Sequence, residues 1–203
     1  MGKLFGIESP VIKICERVTE LMIVNVLMLI CCIPIVTIGA SYTAMYSVIL
    51  KMQKKELTYV GKEFFCAFRK NFKEATLLWL FYLVIGIILV ADYLCLWSIN
   101  TMVIKCLIYA ITALVLISLA WSFTLVSRYE NSLKRTIVNA VLIGISNIVK
   151  TIVGGLLALI PLALFILCPW SAPIVLLVGV SLTSYLQTIV YRPVLDTLEK
   201  SLQ

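Results

Sequence analysis

A chain of 203 residues with 62% hydrophobic and 13% charged side chains departs from the roughly 50% and 25% of a soluble domain, and its expected medium is lipid. The net charge of +7 does not mark a nucleic-acid binder, which needs a basic, water-facing surface; here the cations lie in short runs between apolar segments and read as topology signals. With no histidine and seven cysteines, none in a CxxC spacing, metal centres and a disulfide framework are disfavoured, and the thiols are expected to be structural.

Residues 1–20 are mixed in charge, with Lys13, Glu16, Arg17 and Glu20 at spacings that support a short helix. Residues 21–50 then carry no charge at all and contain a break between Pro34 and Gly39. A straight helix of about 20 residues already crosses an apolar core of roughly 30 Å, so this run suggests a broken hairpin, with a re-entrant loop or a single span left open. It is also longer than the 7–15 residues or so of a signal-peptide core and is expected to stay attached.

Four further apolar segments follow, at about 75–97, 103–127, 151–168 and 173–191, paired into antiparallel hairpins by turns at 98–102 and 169–172. Between the hairpins lie two segments too charged to span. In the first, Val60, Phe64, Phe68 and Phe72 recur every four residues with Phe65 alongside, among Lys62, Arg69, Lys70 and Lys73. In the second, Leu133, Ile137, Val141, Ile145 and Ile148 alternate with Lys134, Arg135 and Lys150. Both read as amphipathic helices in the inner interface. Phenylalanines at this spacing are also what a helix offers to an apolar groove on a partner.

The expected fold is therefore all-α, a single integral membrane domain over residues 1–203. It is a polytopic bundle of three helical hairpins, the first broken between Pro34 and Gly39, with two interfacial amphipathic helices. If both ends of the first hairpin are inside, sixteen of the seventeen cations fall on one side and only Lys105 on the other, which places both termini in the cytoplasm. Hairpin, interfacial helix and hairpin alternate with cations at Lys51, Arg128 and Arg192, an architectural repeat.

Charged residues in spans are functional candidates by default. Asp92 and Lys105 face each other if the second hairpin turns at residues 98–99, and an ion pair with Lys105 reaching toward water is the expected role. The proline leaves carbonyls near residues 31–33 without helical partners; an outer turn is favoured over a transporter-type discontinuous helix. Asn25 and Gln187 read as hydrogen-bonded glue between helices, worth roughly 0.6 kcal/mol. Trp79, Trp97 and Trp170 read as interface anchors, and Trp121 as anchor or core.

The run PIVTIG, from Pro34 to Gly39, and FFCAFRKNFKEATLLW, from Phe64 to Trp79, resemble the YesL-like family of bacterial membrane proteins, a domain family of unknown function, although Ala40 stands where that pattern has proline. The resemblance implies a polytopic protein of the bacterial cytoplasmic membrane, often encoded beside carbohydrate-uptake and polysaccharide-utilisation systems, and no known reaction.

No histidine base, nucleophile elbow, phosphate loop or paired mid-membrane carboxylates are present, so neither catalysis nor a cofactor is expected. An accessory or interaction protein linked to carbohydrate uptake is favoured, with the lipid bilayer and a sugar-uptake transporter complex as partners. A small transporter or permease is the alternative, and homo-oligomerisation is left open.

Overall fold

Proline has no N–H with which to continue a helix, and the first helix ends before Pro34. In the computed structural model, which describes residues 10–96, 102–129 and 132–202, α1 (Pro10–Cys31) stops there, a 3-10 turn (Ile35–Thr37) reverses the chain, and α2 (Ile38–Lys54) returns. The Thr37 hydroxyl donates to the carbonyls of Cys31 at 2.6 Å and Pro34 at 2.8 Å. The break thus satisfies these carbonyls inside an exposed turn, the chain reversal expected of it. Lys55, at φ 60°, ends α2 in the left-handed region.

The next helix, α3 (Val60–Leu96), runs without interruption through both the charged and the apolar segments, which corrects the expectation of a separate interfacial helix. Lys73, Glu74 and Ala75 are all good helix formers; hydropathy changes there, but nothing breaks the helix. At about 1.5 Å per residue α3 is roughly 55 Å long, well beyond an apolar core of about 30 Å.

The chain then forms α4 (Met102–Arg128), α5 (Leu133–Ser146) and α6 (Ile148–Leu167). After a 3-10 turn (Pro169–Ser171) come the short α7 (Ala172–Ile174), a π-helical turn (Val175–Gly179) and α8 (Val180–Leu202). No strand occurs among the described residues. The turn residues 98–101, together with Lys3 and Trp97, lie outside the described residues.

The fold is an all-α bundle in which five stretches are long and apolar enough to cross a membrane: Ile35–Lys54, Val60–Cys95, Met102–Arg128, Ile148–Leu167 and Ala172–Glu199. The first helix, α1, is not among them, because even its most apolar eighteen residues, 14–31, hold three charged side chains, Glu16, Arg17 and Glu20. The second charged segment is the separate helix α5. It packs antiparallel on α4 through the small residues Thr136, Ala140 and Gly144, all buried. A Cβ on Gly144 would lie 2.4 Å from Ile117 Cγ2, so this approach requires glycine.

Two clusters form the interior. The larger joins Val24, Met45, Ile49, Met52, Phe64 and Leu78 across α1, α2 and α3. The smaller is built on Trp121, stacked on Tyr191 at 4.1 Å and donating from its indole to Thr151 Oγ1 at 2.8 Å; Trp121 is core. Gly154 faces the same tyrosine, whose hydroxyl leaves no room for a Cβ. Near the end of α4, Arg128 holds Asp196 at 2.7 Å and Glu199 at 2.6 Å, tying α4 to α8.

Neither cluster extends far along the second hairpin. In α3 the last buried residue is Tyr82, bonded to Ser118 at 2.5 Å and Ser122 at 2.7 Å. Beyond it, residues 83–95 of α3 and 102–117 of α4 contain no buried side chain. These outer halves form a two-helix arm, and the side-chain contacts between them include Tyr93 to Thr112 at 3.1 Å and the Tyr93 and Tyr109 rings at 5.9 Å.

Candidate functional site

Asp92 and Lys105 both lie on this arm, half-exposed, and no ion pair joins them among the described residues. The expected pair fails on register. Tyr93 stands opposite Tyr109 and Thr112, so the position across from Asp92 lies more than one turn past Lys105. The turn itself, residues 97–101, lies outside the described residues.

The aromatic row also divides. Phe64 is fully buried and Phe68 packs against the same cluster, whereas Phe65 is 49% and Phe72 40% exposed. A repeat of four drifts by about 40° per step on a helix of 3.6 residues per turn, so Val60, Phe64, Phe68 and Phe72 cannot hold one face. The inward set is Phe64, Ala67, Asn71, Ala75, Leu78 and Tyr82, all buried, at spacings of three and four. Docking through Phe64 and Phe68 is thereby corrected, since Phe64 already belongs to this chain's own core.

The break is tied to α3. Trp79 donates from its indole to Ile35 O at 2.9 Å, and a Cβ on Gly39 would lie 2.5 Å from Ala75 O and from Trp79 Cβ. Gly39 therefore permits α2 to touch α3 backbone to backbone, while Pro34 supplies the stop. The Trp79 indole serves this turn, and Trp170, 96% exposed, stands on the turn before α7.

Asn25 and Gln187 both join helices, and the first does more than that. Its side-chain amide donates to Leu176 O at 2.6 Å while its oxygen accepts from Ser181 N at 2.9 Å. Asn25 therefore fills the gap in the backbone ladder that the π-helical turn opens, the kind of insertion that bends helices. Ser181 answers by donating to Leu21 O at 2.8 Å. Gln187 accepts from the Tyr46 hydroxyl and donates to Gly154 O at 2.5 Å, linking α2, α6 and α8.

Gln187, Tyr46 and Tyr42 line a cavity of 580 Å³ between α2, α3, α4, α6 and α8; Trp79, Phe123, Leu116 and Leu156 are among the rest of its wall. An adjoining cavity of 340 Å³ shares Tyr42 and Ala158 with it and continues along α6 to Phe165. Sequence reasoning missed this site, because Tyr42 and Ala158 are unremarkable in an apolar run. Among the described residues no group of three histidine, cysteine, aspartate or glutamate side chains is placed to hold a metal.

Residues 21–93, from the apolar part of α1 to the arm, match a family model described as a protein of unknown function, DUF624. Both motifs that carry the family resemblance in the sequence lie inside that stretch. The searches returned no curated protein and no solved structure similar to this chain.

Proposed function

We propose that this protein is a non-catalytic accessory protein of the bacterial cytoplasmic membrane, with cytoplasmic termini, that docks on a transporter complex for carbohydrate uptake. The observation that supports docking is the arm: thirteen residues of α3 and sixteen of α4 without a buried side chain, carrying Asp92 and Lys105 with no ion-pair partner among the described residues. Helices in lipid associate by close packing and polar contacts, and charged groups near spans favour a protein or water-lined neighbour. A second membrane protein laid along the arm supplies both. The class of partner rests on the family resemblance alone, and the inward position of the termini on the distribution of cations.

The alternative, a small permease, draws on the cavity at Tyr42 and Gln187. Its wall carries no ionisable group of the kind that ion-coupled transport commonly uses. Purification in mild detergent separates the readings. Wild-type protein should retain a membrane partner in fixed stoichiometry, and Asp92→Asn combined with Lys105→Gln should reduce its recovery at least tenfold with the melting temperature unchanged. Undiminished recovery from that variant, or solute uptake by the protein alone in sealed vesicles, would overturn docking through the arm.

A further inference from the structure

The two adjoining cavities form one cleft along α6. From Ile152 to Phe165 it follows the helix for about 20 Å at 1.5 Å per residue, and the larger part alone falls within the roughly 300–1,000 Å³ of ligand sites. Its rim is apolar and open to the surroundings of the bundle: Ile152, Leu156 and Leu159 on α6 are 56%, 61% and 57% exposed, and Leu116 on α4 is 60% exposed. No aspartate, glutamate, lysine or arginine lines either part. A molecule entering here comes from the bilayer, and a charged head would lose its hydration with no countercharge to replace it.

The polar groups at the junction are neutral. Tyr42 borders both parts, and Gln187 borders the larger. Gln187 uses one lone pair for Tyr46 and one amide hydrogen for Gly154 O, which leaves a second acceptor site and a second donor on the same carboxamide. Gly155 lines the cleft with nothing within 4 Å of an added Cβ, so glycine there is not demanded by packing of helix on helix. It keeps that wall set back.

We infer that the cleft binds one lipid molecule with an uncharged hydroxyl- or ester-bearing head, of the diacylglycerol type, with a chain along α6 and the head at Tyr42 and Gln187. The inference does not depend on docking through the arm. Trp79, in the wall, reports occupancy in nanodiscs of phosphatidylcholine doped with diacylglycerol carrying dibrominated chains, with Trp97 and Trp170 replaced by phenylalanine; Trp121 is fully buried and lines neither part of the cleft.

Quenching should saturate at one brominated diacylglycerol per protein. Gly155→Phe should abolish the saturable component. Gly86→Phe, a bulky change at an equally open position on the arm, should preserve it. Brominated phosphatidylglycerol should give no saturable component in the wild-type protein, a comparison that stands even if Gly155→Phe fails to fold. Quenching that rises linearly with total brominated lipid, persists in Gly155→Phe, or saturates equally with the charged lipid would overturn the assignment.

Discussion

Asn25→Leu should destabilise the bundle by about 2–6 kcal/mol, since it strands two buried backbone groups at roughly 1–3 kcal/mol each. Leucine has the same branched, four-atom side chain and is somewhat larger, so the change removes polarity without opening a cavity. It removes the donor to Leu176 O and the acceptor from Ser181 N together, in a segment whose backbone has already left the α-helical pattern. The π-helical turn must then close into an α-helix, rotating α8 relative to α7, or leave both groups orphaned. Unfolding midpoints of wild-type and variant protein in one detergent measure the loss. A loss near 0.6 kcal/mol, the average for a polar contact between membrane helices, would reduce Asn25 to ordinary glue.

Phe64→Ala should cost about 3–5 kcal/mol, the range for emptying a buried phenylalanine site, whereas Phe65→Ala should stay within about 0.5 kcal/mol. The two residues are neighbours of one type on one helix, and only their direction differs. Phe64 is enclosed by the cluster of α1, α2 and α3, with Phe65 edge-on at 5.7 Å and Phe68 stacked at 6.3 Å; Phe65 points outward. Parallel unfolding curves of the two variants check this. Equal losses would mean that the aromatic row acts as one face after all.

The five long apolar stretches and the stop at Pro34 were readable because each rests on a strong local signal: an uncharged run of sufficient length, or a residue with no N–H. Asn25 was readable as a polar residue that needs a partner in lipid, but not as a rung in another helix's ladder. That depends on a π-helical turn about 150 residues away, which no local pattern announces. The continuity of α3 is not legible in hydropathy, which changes between Lys73 and Ala75 where helix propensity sets no boundary. The pairing of Asp92 with Lys105 failed for a related reason. Register across a hairpin is set by how the two helices pack, here Tyr93 on Tyr109 and Thr112, and counting outward from a turn does not fix that to within one helical turn. The cleft is a property of assembly, made where five helices fail to close on one another, and Gln187 and Gly155 announce no shared site in the sequence.

The proposed role rests on the hairpins crossing a bilayer with their cation-bearing ends in the cytoplasm and the turn before α7 outside, an orientation that would place the arm where a membrane partner can lie along it. Cys66, near the start of α3, and Cys168, at the end of α6, are both exposed, so protein burial does not separate their reactivity and the membrane does. In intact cells expressing single-cysteine forms, an impermeant maleimide should label Cys168 and should reach Cys66 only after permeabilisation. Labelling of Cys66 in sealed cells at the rate of Cys168 would contradict the topology and, with it, the placement of the arm.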